Sequence, residues 1–119
     1  GSATFTGKLI GFYVAPTGAG ATAGADVTVN ANFSSRSLGF ASSGTTVQGS
    51  AAPQLDLRGT LTYAPGQASF SGAVVNAGGS MTGSSKGQFY GPNAEELGGA
   101  FRLQGAGNEL FTGGFGAKR

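Results

Sequence analysis

The chain has 119 residues with no Cys and no His, so disulfides, thiolate chemistry, Ser-His-Asp triads and imidazole metal sites are excluded. Gly supplies 24 residues and charged residues only 10%, against about 25% in ordinary globular domains. The net charge of +2 comes from scattered cations with only Lys118 and Arg119 adjacent, which argues against nucleic acid as a partner.

Reading from the N-terminus, Gly1-Ser2 has the look of a cloning scar, and one domain is expected over 3–119. The first predicted strand, 3–14, is apolar on both faces. Phe5, Leu9 and Tyr13 share one face, and Ile10, Phe12 and Val14 the other. A strand of that kind is either covered twice or part of an interface, so Ile10, Phe12 and Val14 are the candidate partner contacts. Pro16 to Gly24 reads as a flexible connection. Strands follow at 25–34, 36–41 and 44–48, the last two readable as one bent strand. Further strands are expected at 55–63, 67–76, 80–90, 98–104 and 109–117. The period-two signal is clearest where Leu57, Gly59, Leu61 and Tyr63 alternate with Arg58, Thr60 and Thr62. Ala64-Pro65-Gly66, Asn76 to Gly79 and Gly105 to Asn108 are turns. The helix-like signal is one turn at Asn93-Ala94-Glu95-Glu96, with Asn93 as its cap.

Regularly spaced strands with almost no helix predict an all-β fold. Phe5-Thr6-Gly7, Phe70-Ser71-Gly72, Met81-Thr82-Gly83 and Phe111-Thr112-Gly113 repeat an apolar-hydroxyl-Gly pattern. An inward Gly lets a strand bend and leaves room for a neighbouring ring, which suits the alternation of large and small residues inside a small barrel. The expected fold is a single soluble antiparallel β-barrel of about eight strands. The apolar face is the one dense in Gly and aromatics, and the strands read as shorter than the ~9–11 residues that spanning requires, so membrane insertion is not expected.

The stretch Gly87-Gln88-Phe89-Tyr90-Gly91-Pro92-Asn93-Ala94-Glu95-Glu96-Leu97-Gly98-Gly99-Ala100-Phe101, with the final Gly114-Phe115-Gly116-Ala117-Lys118-Arg119, resembles the closing elements of the transferrin-binding-protein B-like β-barrel family. Leu57-Arg58-Gly59-Thr60-Leu61-Thr62 and Phe70-Ser71-Gly72 follow the same family's strand rhythm more loosely. Within the motif, Phe89 and Phe101 are positioned to plug the barrel, and Gly91-Pro92 to end a strand. Glu95 and Glu96 belong to the short helix near its dipole, Leu97 follows them, and Gly98-Gly99 supply unusual backbone angles on re-entry to the sheet. This motif is expected to hold the fold rather than a ligand.

The resemblance implies a cell-surface or secreted protein of a Gram-negative bacterium, set among lipoproteins that capture transferrin, haem or heparin-like ligands. Such barrels often follow a variable N-terminal handle domain. The chain shows no handle, lipobox Cys or signal sequence, so it reads as an excised C-terminal barrel or a minimal member. Its low Lys and high Gly and Ala content sets it apart from transferrin receptors.

The expected function is therefore a non-enzymatic binding module for a host ligand or an iron or haem source. The alternative is a structural cap, or an export and display module. The five carboxylates form no catalytic set, and no metal or resident cofactor is expected. Haem is a candidate ligand through Tyr90 or Met81, with Tyr13 and Tyr63 also weighed. An anionic glycan is a candidate through Lys8, Lys86, Lys118 and Arg119. The expected protein partner is either a separate protein or the upstream domain of a parent chain.

Overall fold

The alternating segments pair with their sequence neighbours and close on themselves, because an apolar face this rich in small residues can be buried only by wrapping it inward. The computed structural model describes residues 1–119. Its strands are β1 (Ser2–Val14), β2 (Gly20–Asn32), β3 (Ser37–Val47), β4 (Ser50–Ala51), β5 (Leu57–Thr62), β6 (Ser69–Asn76), β7 (Met81–Tyr90), β8 (Glu96–Gly105) and β9 (Leu110–Lys118). All pairings are antiparallel. Each long strand pairs with the next, and β9 returns to β1, giving an up-and-down barrel of eight strands. The two-residue β4 is an extra strand on the edge of β3.

The stretch 36–48 is indeed one bent strand: β3 runs through a bulge where Gly44 has φ 62°. The segment expected to be flexible to Gly24 is shorter, since β2 already begins at Gly20. The expectation of short strands also fails. β1 and β2 have 13 residues each, β3 has 11, and β7 and β8 have 10. Length therefore does not decide the relation to a membrane. The faces speak to it more directly. Phe5, Leu9, Val27, Leu38, Phe40, Leu61 and Leu103 are buried inside, while Asp26, Arg58, Lys86 and Arg102 stand exposed outside. A spanning barrel would carry an apolar band on that outer surface.

The interior is filled by two aromatic clusters. At one mouth Phe89 is surrounded by Phe5, Phe33, Tyr63 and Phe70, with ring centroids 5.3–6.1 Å away. Toward the other end Phe111 packs edge-on against Phe101 at 4.9 Å and Tyr13 at 6.2 Å. Phe40 and Phe115 meet between them at 4.8 Å. Each fully buried Phe contributes roughly 1.5–3 kcal/mol.

The inward glycines make this packing possible. A Cβ at Gly7 would run into the Gly116 carbonyl, one at Gly83 into the Arg102 carbonyl, and one at Gly113 into the Ile10 carbonyl. The strands are coiled so tightly that neighbouring backbone fills the space a side chain would need.

The second mouth is covered by a short 3-10 turn, Pro53–Leu55, which buries Leu55. The helical turn expected at 93–96 is absent. Residues 91–94 form a turn and Glu96 is already in β8. Because Tyr90 pairs with Glu96, only five residues connect the two strands, and a helix cannot fit that gap.

Candidate binding surface

The family-motif residues from Phe89 to Leu97 are arranged around the Phe89 mouth, whereas Phe101 lies farther along β8. β7 ends at Tyr90, and the chain turns at Gly91 and Ala94, both with positive φ (91° and 52°). Pro92 and Asn93 lie between them. The Asn93 N–H donates to Glu95 Oε1 at 3.1 Å, so Glu95 braces a turn and does not sit on a helix dipole. Leu97 is buried, and Phe101 joins the cluster around Phe111. Gly98 and Gly99 do not have the unusual angles expected of them, which fall instead on Gly91 and Ala94. Gly99 is required for space: a Cβ there would meet the Lys86 carbonyl and, at 2.8 Å, the Phe115 ring.

The carboxylates are dispersed. Asp56 accepts from the Thr45 N–H at 3.1 Å and its hydroxyl at 2.6 Å, which fastens β3 to the start of β5. Glu109 lies over the Gly105–Gly107 turn, with Oε1 enclosed and unpartnered. Glu95 and Glu96 are at the opposite end of β8 from that turn.

The four cations expected to form one cluster are brought together only in part: Lys8 and Lys118 line one depression across β1 and β9, while Arg119 and Lys86 lie elsewhere. Lys8 is in an ion pair with Asp26. Lys118 pairs in register with Glu96. Arg119 folds over the Phe89 mouth, its guanidinium carbon 5.6 Å from the centroids of both Phe5 and Phe33. Its Nε donates to the Ala94 carbonyl and its Nη2 to the Asn93 carbonyl. Lys86 is on β7, two strands away from Lys118.

The two candidate haem ligands are also apart. Met81 opens β7 facing inward, 1% exposed, whereas Tyr90 ends β7 facing outward, 50% exposed. Nine residue steps along the strand place them about 30 Å apart. Tyr63 and Tyr13 pack inside against Phe89 and Phe111.

The three candidate partner residues do come together. Ile10 and Phe12 project from the outer face of β1, 72% and 47% exposed, with Val14 next in line. Ile10 pairs with Gly24 on one side and Gly114 on the other, so bare backbone flanks it. The Phe12 ring covers Gly20, where a Cβ would stand 2.6 Å from it. Two shallow depressions run beside Ile10, one toward Gly24 and Gly44, the other toward Gly114 and Gly116. The result is an apolar ridge between two furrows floored by glycine. The sequence shows the ridge; the furrows appear only when the register of four strands, β9, β1, β2 and β3, is known.

The family model for the C-lobe and N-lobe β-barrels of Tf-binding protein B matches residues 1–119. No curated protein matches the chain in sequence. Among solved structures, a point variant of the vaccine antigen transferrin-binding protein B from Haemophilus parasuis Hp5 superposes with a TM-score of 0.74 at 20% identity, over 99% of this chain and 26% of that one. Isotype 1 transferrin-binding protein B from serogroup B Neisseria meningitidis gives 0.73 at 22% identity, over 99% of this chain and 25% of that one. The chain thus spans about a quarter of the length of these solved relatives.

Proposed function

Because the chain belongs to the family of transferrin-binding protein B β-barrels, we propose that it is a non-enzymatic binding module of a cell-surface or secreted Gram-negative protein, acting in capture of a host protein that carries iron or haem. The observation that carries this reading is the ridge of Ile10 and Phe12, exposed on the outside of a barrel whose other large apolar side chains are mostly packed within. Apolar side chains at the centre of an interface supply most of its binding energy, and glycine furrows let a partner approach the backbone closely.

The test is a titration of the immobilised barrel with iron-loaded transferrin and, separately, with haemoglobin. Saturable binding of either, weakened at least about tenfold by Phe12→Ser with an unchanged melting curve, supports the reading. Failure of both carriers at micromolar concentration overturns it. Collapse of the fold in Phe12→Ser would mean that Phe12 holds the barrel together.

A second reading is a structural cap that displays a larger surface protein, with the ridge covered by a neighbouring domain. The filled interior favours it. Its mark is that the isolated barrel binds neither carrier, yet associates through Phe12 with the segment preceding it in a longer chain.

A further inference from the structure

We propose that the outer face of β1 and β2 is self-complementary and pairs with the same face of a second copy of this chain. The geometry follows from register. Along the outer face of β1 stand Lys8, Ile10, Phe12 and Val14, and directly opposite them on β2 are Asp26, Gly24, Thr22 and Gly20. At every step the β1 side chain is the larger, so a ridge and a furrow run side by side about 5 Å apart. A two-fold axis parallel to the strands, midway between β1 and β2, lays the ridge of each copy over the furrow of the other. Ile10 then meets the partner's Gly24. Such an isologous contact uses each ridge and each furrow once, and closes as a dimer.

A furrow lies on either side of Ile10, and charge selects between them. Lys8 and Asp26 are the only charged residues of β1 and β2, and they form an ion pair in register. With the axis on the β2 side, each Lys8 stands over the partner's Asp26, and the two ion pairs combine into a square of alternating sign. With the axis on the β9 side, Lys8 would stand over the partner's Gly116, and no acid would meet it. Lys8 and Asp26 are both largely exposed in the single copy, which leaves each open to a second partner.

Shape agrees with charge. Phe12 leans over Gly20 and fills that end of the furrow. The open part is the depression beside Ile10, bounded by the Lys8–Asp26 pair and by Gly44 and Thr46 on β3. A side chain at Gly24 would meet nothing nearer than the Leu9 carbonyl at 3.8 Å, so this hole is free space rather than packed backbone. Ile10, 72% exposed, is the side chain that projects far enough to fill it.

The barrel wall is convex, so contact is confined to two strands of each copy. Lys8 to Val14 spans about 20 Å and the strand pair about 10 Å, a footprint well below the ~800 Å² per partner of a standard interface. The dimer is accordingly weak and concentration-dependent. It covers the same ridge as the proposed carrier site but needs no carrier, so either reading can fail without the other.

The test is sedimentation velocity of the whole chain, without any carrier, from about 10 μM to 1 mM. The sedimentation coefficient is expected to rise from the monomer value toward that of a dimer. Ile10→Ser and Gly24→Val should each weaken pairing at least about fivefold. Gly116→Val, which fills the opposite furrow at a site where a Cβ meets nothing within 4 Å, should change it less than about twofold. Asp26→Lys and Lys8→Asp each set like charges against like across the axis, and each variant alone should stay monomeric. Mixed in equal amounts, they set two cations over two anions and should form a one-to-one dimer. A chain that is monomeric at the highest concentration overturns the proposal and leaves the ridge to a different protein. Pairing that survives Gly24→Val, or a mixture no more associated than its components, overturns it as well. Melting curves separate lost pairing from lost structure, and the mixing experiment decides if Gly24→Val unfolds.

Discussion

A methyl group added at Gly83 would enter space already held by the Arg102 carbonyl and the Leu103 backbone, and neither can move without shifting β8. Gly83→Ala is therefore expected to cost about 1–3 kcal/mol, measured by chemical denaturation. Gly116→Ala is the control. A Cβ there meets nothing within 4 Å, and its effect should stay within about 0.5 kcal/mol. Equal costs at the two sites would show that backbone entropy, not close approach, explains the glycines. A second residue-scale case is Asn76, which reads in sequence as a turn marker. It is fully buried: its amide donates to the Gln54 carbonyl at 3.0 Å and the Ser80 hydroxyl at 3.1 Å, and it accepts the Met81 N–H at 2.8 Å. One side chain thus joins the 3-10 turn to the β6–β7 connection. Asn76→Ala should cost about 1–3 kcal/mol, because it strands the Met81 N–H in a dry site. Asn76→Asp should cost at least as much, because its carboxylate sets an acceptor against the Gln54 carbonyl and buries a charge with no cationic partner.

At the scale of elements, the clearest difference between sequence and structure is the turn after β7. Asn93-Ala94-Glu95-Glu96 has the composition of a capped helical turn, and local propensity alone favours one. The pairing of Tyr90 with Glu96 overrides it, since the hairpin must reverse in five residues. The 3-10 turn at Pro53–Leu55 is faint in the sequence for the opposite reason. Its one signal is a Pro at the first helical position, inside a run that otherwise reads as loop and strand. The β7–β8 turn is then tied down from a distance by Arg119, whose own N–H donates to the Glu95 carbonyl while its side chain reaches the Asn93 and Ala94 carbonyls. Arg119→Ala should destabilise the barrel by about 1–2 kcal/mol and raise hydrogen exchange selectively in 91–96. Lys at 119 should restore less than half, because an ammonium cannot span two carbonyls and two rings as the fork does. Uniform exchange across the barrel in Arg119→Ala would remove the latch from this account.

At the scale of the whole molecule, the architecture was legible because two independent signals agree: alternation of period two, and Gly two places after an apolar residue on the same inward face. Strand lengths were less legible, since small residues such as those from Gly20 to Ala25 carry little alternation and resemble a connection. The binding surface was only half legible. Ile10 and Phe12 show in sequence as an outward apolar pair, but the glycines that flank them, Gly24 and Gly114, become their neighbours only through the β1–β2 and β1–β9 registers. Position along a single strand bears on haem. The candidate ligands are at opposite ends and on opposite faces of β7, one sealed inside and one on the surface. Phe89 with Arg119 closes one mouth, and Leu55 closes the other. The interior is crossed by packed rings throughout, so a porphyrin could enter only by displacing several buried Phe side chains, at roughly 1.5–3 kcal/mol each. Titration of the chain with hemin is accordingly expected to give a linear, unsaturated absorbance with no shifted Soret band. A saturable band at one haem per chain, lost in Tyr90→Phe and kept in Met81→Leu, would place the haem on the outer face of β7 at Tyr90. Capture would then be a property of the barrel's wall, and the closed interior would serve only to hold that wall rigid.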